Sequence, residues 1–142
     1  MIVRAMYIND YDEMLVLWNA SLTSVRPVED SRESIARYLQ RNPSLSVVAE
    51  CKGKIVGTIL CGHDGRRGFL YHVAVDETMR RQGVAQAMLN ACIEKLRSEG
   101  INKFSLVAFK TNEKGNAFWQ KQGVYIREDL NYRDCWITED LT

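Results

Sequence analysis

The stretch that most constrains the fold of this 142-residue chain is 71–100, which has the pattern of a strand, a short polar loop and a long helix. The run 69–75 is apolar and rich in aromatic and β-branched residues, as strands are. Two arginines, a glutamine and Gly83 follow, and apolar residues then recur at helical spacing as far as Arg97. This order predicts a β-strand that leads directly into the N-terminus of an amphipathic helix.

The loop of this unit is suited to an anion. Peptide N–H groups in the first turn of a helix lack intrahelical partners and lie at the positive end of the helix dipole. Gly83 allows a ligand to approach the backbone closely, and Ala85 keeps the first turn slim. Arg80 and Arg81 add positive charge, so a pyrophosphate suits the loop better than a lone carboxylate. An ordinary helix start with solvated arginines explains the same spacing, and both interpretations stay open.

Charge and cysteine content exclude several classes of function. Lys and Arg number 19 against 18 Asp and Glu, and a net charge of +1 provides no field for binding nucleic acid or an anionic membrane. No apolar run approaches the ~20 residues of a membrane span. The cysteines are widely spaced, which argues against zinc and for reduced thiols in a cytoplasmic protein. They are Cys51, Cys61, Cys92 and Cys135.

Hydrophobic periodicity along the chain predicts an α/β (α+β) fold with a mixed, mostly antiparallel sheet of about seven strands and about four helices. No repeat, low-complexity tract or linker interrupts the pattern, so we expect a single domain over 1–142. The strands are predicted at 2–7, 45–51, 54–61, 69–75, 103–109, 124–128 and 132–138, and the helices at 10–20, 31–41, 83–97 and 112–122.

Two motifs in this order resemble those of a known family. The pattern R-x-x-G-x-A at Arg80, Gly83 and Ala85, placed between a strand and an amphipathic helix, resembles the acetyl-coenzyme A signature of the GNAT superfamily of N-acetyltransferases. The segment 112–124, N-E-K-G-N-A-F-W-Q-K-Q-G-V, is similar to a second motif of that superfamily. The resemblance implies a sheet splayed between its fourth and fifth strands, acetyl-CoA as cosubstrate without a metal, an amine-bearing acceptor, and pairing of two copies into a homodimer.

The resemblance also implies how acetyl-CoA is bound. Val73 and Val75 would pair through their main chains with the pantetheine arm, as if it were another strand. Asn112 would contact the pantetheine from the start of the following helix. A set of backbone N–H groups would hold the pyrophosphate. They belong to Arg81, Gln82, Gly83, Val84 and Ala85, with Arg80 beside them.

Acetyl transfer to an amine needs a neutral amine, a hydrogen-bond donor for the developing oxyanion and an acid for the departing thiolate. A main-chain N–H near Val73 is the expected oxyanion donor. Where many members of the family have an acidic tyrosine, this chain has Trp119, whose indole N–H does not supply protons. The positions of two glutamates used by some members hold Phe69 and Val107. The sequence therefore assigns no acid.

Tyr71 and His72 are the candidate catalytic residues. Strand alternation puts Tyr71 on the cleft-facing side of the sheet, as a wall of the acceptor site or as a hydroxyl in a water relay. The same alternation puts His72 on the opposite face under a helix, where it is either a base or a buried, hydrogen-bonded core residue. Arg66 and Arg67, on a predicted turn, are either ligands for an acidic acceptor or solvated side chains.

The function predicted from these features is an N-acetyltransferase that moves the acetyl group of acetyl-CoA directly to a primary amine of a small molecule or protein. The alternative is a non-catalytic acyl-CoA-binding or sensing domain of the same fold, which the missing acid at Trp119 favours. The sequence does not identify the acceptor.

Overall fold

The structure is a computed structural model that describes residues 1–21 and 23–138. It divides into two compact units, the first Met1–Val107 and the second beginning at Ala108. The first unit contains every strand and three helices, and the second contains one helix. The elements are β1 (Ile2–Ala5), α1 (Tyr11–Asn19), α2 (Arg32–Arg41), β2 (Val47–Cys51), β3 (Lys54–His63), β4 (Gly68–Val75), α3 (Val84–Ser98), β5 (Phe104–Leu106) and α4 (Glu113–Lys121).

The sheet of the first unit follows the order of the chain, β1-β2-β3-β4-β5. Strands β1 to β4 pair antiparallel, and β5 pairs parallel with β4. The pairing of β4 with β5 ends at Leu70 and Leu106, although β4 continues to Val75. The two strands therefore separate beyond Leu70. The predicted α/β fold class and the splay between the fourth and fifth strands are confirmed.

Helices cover both faces of this sheet. On one face α1 and α2 share a buried cluster with the strands, in which Met14 and Trp18 are fully buried. On the other face α3 lies against β3 and β4, and glycines allow the close approach. A Cβ added at Gly57 would lie 2.7 Å from Met88 Cε, and one added at Gly68 would lie 3.0 Å from Leu96 Cδ1.

A β-bulge interrupts β4 where it pairs with β3. The register shifts between Thr58 and Leu60, so that Thr58 faces Ala74 while Leu60 faces Tyr71. The bulge coincides with His72, whose φ of 45° lies in the left-handed region. An extra residue on one strand changes the direction of the side chains that follow it. Simple alternation therefore fails within β4.

The second unit shows where the sequence prediction was wrong. The strands predicted at 124–128 and 132–138 do not form, so the described part of the chain has five strands and not seven. An ion pair between Arg127 and Asp129, 2.8 Å, lies at the end of the first run, and Tyr125 and Ile126 are 64% and 74% exposed. A strand needs a neighbouring strand for its N–H and C=O groups. In the described part of this unit the regular element is α4, and no strand lies there.

Among the described residues, no helix is long and apolar enough to cross a membrane. The single domain predicted for 1–142 stays a prediction.

Candidate active site

The loop between β4 and α3 forms a tight concave turn. Arg81 and Gly83 both have left-handed φ angles, 65° and 78°. Alternating conformations of this kind point successive N–H groups into a shared concavity that binds anions. Asp76 holds the start of the loop, because its Oδ1 accepts hydrogen bonds from the N–H and hydroxyl of Thr78 at 2.9 and 2.7 Å. The side chains of Arg80 and Arg81 are exposed beside this turn.

Among the described residues, no side chain caps the N-terminus of α3. Gly83 occupies the N-cap position, makes no side-chain cap, and is followed by a first turn without an acidic residue. By contrast, Ser31 caps α2 and Asn112 caps α4 through side-chain oxygens. A Cβ added at Gly83 would meet nothing within 4 Å, so the space in front of the helix is open. The first-turn N–H groups of Val84 and its neighbours therefore face an accessible region at the positive end of a 15-residue helix.

The edge of β4 beyond Leu70 is also available for hydrogen bonding. The N–H of Asp76 donates to Val56 O on β3 at 2.8 Å, and main-chain groups of successive residues in a strand point to opposite sides. Counting back one residue from Asp76 directs the N–H and C=O groups of Val75 away from β3, to the side where β5 has already ended. Val73 lies within the bulge, and the direction of its main-chain groups stays a prediction. This part of β4 can pair with an extended ligand.

His72 is buried in a network of hydrogen bonds. Its ring stacks on Trp18 with centroids 4.3 Å apart, and its Nε2 lies 2.9 Å from Asp30 Oδ1. Its Nδ1 is hydrogen bonded to the hydroxyl of Thr23. The side chain is 7% exposed. Both ring nitrogens are therefore engaged with side chains from the connection between α1 and α2.

The predicted face of His72 was wrong. Trp18 belongs to α1, so His72 faces the layer of α1 and α2. Tyr71 faces the same layer, because its ring makes an edge contact with Tyr38 of α2 at 6.3 Å. The bulge at His72 is the physical reason, since it lets two consecutive residues turn to one side. The expected separation of Tyr71 from His72 across the sheet does not occur.

Asp30 anchors the network, and sequence reasoning treated it only as a helix-start residue. Its carboxylate is 11% exposed and accepts from His72 through one oxygen and from the N–H of Arg26, 2.8 Å away, through the other. Its carbonyl accepts from the hydroxyl of Tyr11 at 2.6 Å. No local pattern distinguishes such a buried aspartate from an ordinary helix cap, because its partners come from other elements.

Tyr71 lies at the point where the sheet opens. It is the first residue of β4 beyond the last pair with β5, and it is 44% exposed. Its ring stacks on Phe69 with centroids 4.6 Å apart. The predicted position on an accessible wall agrees with this geometry, and a catalytic role for Tyr71 stays a prediction.

A cleft of about 290 Å³ begins at this aromatic wall. Tyr38 forms part of it, and its buried hydroxyl has no hydrogen-bond partner among the described residues. Burial raises the pKa of this hydroxyl. Sequence reasoning missed Arg41, since a basic residue in the last turn of a helix is common. The cleft is lined by Tyr38, Arg41, Asn42, Gly62, His63, Asp64, Arg67, Gly68, Phe69 and Tyr71.

Two predicted positions belong to the second unit. The side-chain oxygen of Asn112 accepts from the N–H of Gly115 at 3.0 Å and caps α4, and its contact with pantetheine stays a prediction. Trp119 is 7% exposed and makes an edge contact with Phe118 at 5.0 Å. In the part of the chain that the structure describes, no group of three or more His, Cys, Asp or Glu residues could hold a metal ion.

Comparisons with known proteins agree on one family. Residues 11–124 match the model described as the Acetyltransferase (GNAT) family. Acetyltransferase plu1384 of Photorhabdus laumondii is 32% identical over 132 residues, which cover 93% of this chain and 86% of that protein.

Solved structures show the same fold. Ard1 from Thermoplasma volcanium matches with a TM-score of 0.77 at 23% identity, over 86% of this chain and 80% of that chain. The PaiA N-acetyltransferase from Thermoplasma acidophilum, solved in complex with coenzyme A, matches with a TM-score of 0.73 at 15% identity. That match covers 85% of this chain and 87% of the PaiA chain. The resemblance inferred from the two sequence motifs is confirmed.

Proposed function

The chain belongs to the GNAT family of acetyltransferases, and from that premise we propose that it transfers the acetyl group of acetyl-CoA to a primary amine. Acetyl transfer is the reaction of the family, and the proposal adds that the acceptor atom is an amine nitrogen. The observation that carries the proposal is the N-terminus of α3, which has no side-chain cap among the described residues and lies one short loop after the edge of β4 that β5 leaves open. Acetyl-CoA has a pyrophosphate, which suits the helix N-terminus, and an extended pantetheine arm, which suits the open strand edge.

The pyrophosphate is assigned to the turn at the start of α3. The N–H groups from Arg81 to Ala85 supply the donors, and Arg80 adds a charge beside them. Gly83 is suited to this position because its left-handed φ and the open space in front of it let a diphosphate reach the backbone. The absence of an acidic residue from the first turn of α3 leaves the dipole's positive end to the ligand.

The pantetheine arm is assigned to the open edge of β4. Val75 directs its main-chain groups to that side, and we assign Val73 and Val75 to pair with the amides of the arm. The thioester then lies near Tyr71, where the strands separate. A main-chain N–H of β4 near Val73 is the proposed donor to the oxyanion that forms when the amine attacks.

The transfer balances without another reactant. A neutral primary amine attacks the thioester carbonyl, the new N–C bond forms, and the C–S bond breaks. One proton leaves the amine nitrogen and one is gained by the thiolate, so the products are an amide and free coenzyme A. We assign the removal of the proton to ordered water beside the exposed Tyr71, because both ring nitrogens of His72 are engaged with Thr23 and Asp30.

We place the reaction in the cytoplasm. The cysteines of the described chain form no disulfide, and reduced thiols are usual in that compartment.

Trp119 favours a second candidate function, an acyl-CoA-binding or sensing domain without turnover. It occupies the position of the family's acidic tyrosine and is buried. An indole N–H does not supply a proton to a leaving thiolate. Both candidates share the coenzyme site, and they differ in whether an amine is acetylated.

The experiment combines binding and turnover. Thermal and chemical unfolding with acetyl-CoA at ~100 times its dissociation constant should show about 2.7 kcal/mol of added stability. Release of free coenzyme A thiol across a panel of primary amines then measures transfer. Gly83→Asp is expected to abolish binding, because its carboxylate would stand against the diphosphate. Gly83→Asn is the matched control, since asparagine has a similar shape, is also tolerated at a left-handed φ and lacks the charge.

The outcomes separate the candidates. Stabilisation with transfer to an amine, lost in Gly83→Asp and largely retained in Gly83→Asn, supports the proposal. Stabilisation without transfer to any amine supports the sensing domain. If neither acetyl-CoA nor coenzyme A stabilises the protein, or if Gly83→Asp binds as well as the control, the assignment of the pyrophosphate is wrong.

A further inference from the structure

We propose that the cleft beside Tyr71 binds the carboxylate of the acceptor, and that the acceptor is a small amine of the amino-acid type. This inference rests on the proposed function, since it names the class of amine that receives the acetyl group. It is carried by two arginines and an aromatic wall that line the same cleft.

The positive charge of the cleft comes from separate elements. Arg41 lies in the last turn of α2, and Arg67 lies on the turn between β3 and β4. Neither guanidinium forms an ion pair with a carboxylate of the described residues. The Arg67 guanidinium donates to the hydroxyl of Ser105, which positions the side chain and leaves its charge uncompensated. Guanidinium groups bind carboxylates in a fixed planar geometry, so the pair selects an anion of that shape.

One carboxylate, that of Asp64, lines the same cleft, and its charge is already used within the turn. Its Oδ1 accepts from the N–H groups of Arg66 and Arg67 at 2.9 and 3.1 Å, and its Oδ2 lies 3.1 Å from Arg66 Nη2. Those hydrogen bonds lower the pKa of Asp64 to about 2. His63, which also lines the cleft, is held by Glu99 at 2.8 Å. The charges left without a carboxylate are those of Arg41 and Arg67.

The rest of the cleft suits the remainder of such an acceptor. Phe69 and Tyr71 form a stacked wall that an aliphatic or aromatic side chain can cover. The Tyr38 ring supports this wall through its edge contact with Tyr71 at 6.3 Å. Because Tyr71 belongs both to this wall and to the point where β4 and β5 separate, an acceptor held here presents its amine toward the proposed thioester site.

The test compares acceptors that differ only in charge. Free amino acids, including short straight-chain ones, are each assayed beside their carboxamides with acetyl-CoA and the full chain. We expect kcat/KM to favour the carboxylate by about tenfold or more, the ratio that corresponds to one charge-assisted hydrogen bond. Arg41→Gln and Arg67→Gln should each raise the KM for the free amino acid by about tenfold. Each should change the KM for the carboxamide much less.

Arg37→Gln is the matched control. It removes the same charge from the same helix as Arg41, but neither Arg37 nor its ion-pair partner Glu33 lines the cleft, and it should keep the wild-type preference. Thermal unfolding of each variant checks that the exposed substitutions leave the fold intact.

The result that overturns this inference alone is transfer to amines without a preference for the carboxylate, or an equal effect of Arg37→Gln and Arg41→Gln. Stabilisation by acetyl-CoA with no acetylation of any amino acid also overturns it. Failure of acetyl-CoA and coenzyme A to stabilise the protein overturns the proposed function itself, and this inference with it.

Discussion

His72 has a backbone conformation that a side chain rarely adopts. Its φ of 45° belongs to the left-handed region, and residues held there store of order 1–3 kcal/mol. Buried contacts offset that cost, because the ring stacks on Trp18 and is hydrogen bonded to Thr23 and Asp30. These contacts join the connection between α1 and α2 to the bulge of β4. The histidine therefore fixes the connection between α1 and α2 to the strand whose edge is open.

Replacing Asp30 should show what this network contributes. Asp30→Asn is expected to lower the free energy of unfolding by about 1–3 kcal/mol, because a carboxamide has one acceptor oxygen and the native carboxylate uses two. Urea denaturation at neutral pH measures the change. Glu29→Gln is the control, because that side chain is 53% exposed and its ion pair with Arg26 lies on the surface. An equal loss in both variants would contradict the role given to Asp30.

The sequence predicted the surroundings of the His72 side chain better than the face of the sheet on which that side chain lies. An apolar strand beneath helices made burial and hydrogen bonding one of the two expected states. Its face depended on counting alternate residues, and the bulge breaks that count. A bulge depends on the register with the partner strand, which the local sequence does not encode. Tyr71, which precedes the bulge, kept its predicted place on an accessible face.

The start of α3 is positioned by its contact with β3. A Cβ at Gly57 would lie 2.7 Å from Met88 Cε and 3.1 Å from Val84 Cγ1, and Val84 is the first residue of the helix. Any residue with a Cβ at this position would force Met88 or Val84 to move. Gly57 therefore controls where the first-turn N–H groups lie, although it is far from them in sequence.

Gly57→Ala should test this control. The added methyl forces Met88 and the first turn of α3 outward, so we expect a loss of about 1–3 kcal/mol in unfolding free energy. We also expect about tenfold weaker binding of acetyl-CoA by the folded protein. Gly68→Ala is the comparison, since its Cβ would press on Leu96 in the last turns of the same helix. It should lower stability and leave acetyl-CoA affinity unchanged. Equal affinities for the two variants would exclude Gly57 from positioning the site.

The elements that were predicted correctly have strong local signals. Ser31 caps α2 at the start of the predicted helix 31–41, and Lys52 with Gly53 forms the turn between the predicted strands 45–51 and 54–61. The failed predictions fall where the signal was only β-propensity. The runs 124–128 and 132–138 contain suitable residues, but propensity reflects packing against neighbouring strands more than any backbone preference. In the described part of the chain these runs form no strand.

In the molecule as a whole, the sequence predicted the class of fold but not the cleft. The open edge of β4 was expected from the resemblance to a family, and periodicity alone did not indicate it. The cleft combines Tyr38 and Arg41 from α2 with Arg67 from the turn after β3. These positions are distant in sequence and have no shared motif, so only the folded sheet brings them together.

Several aspartates spread over the molecule have pKa values below their ordinary 3.8. Burial on its own would raise the pKa of Asp10, but hydrogen bonds from the Arg4 guanidinium and the Tyr7 N–H lower it. The hydroxyl and N–H of Thr78 lower the pKa of Asp76. Hydrogen bonds from neighbouring main-chain or guanidinium groups lower the pKa of Asp64 and Asp129 to about 2. Each of these groups releases its proton more readily in the folded chain than in the unfolded one.

This difference predicts how the free energy of unfolding depends on pH. Because the folded-state pKa values are lowered, the contribution of these carboxylates is complete above the unfolded value of 3.8 and is lost as the pH falls toward about 2. The denaturation midpoint, measured from neutral pH to pH ~2, should therefore decrease as the pH drops below 3.8. Asp10→Asn should make the fall shallower, and Arg4→Gln should do the same, because it removes the guanidinium that lies 2.9 Å from the Asp10 carboxylate. If both variants keep the wild-type slope, the Arg4–Asp10 pair does not contribute to the pH dependence of stability.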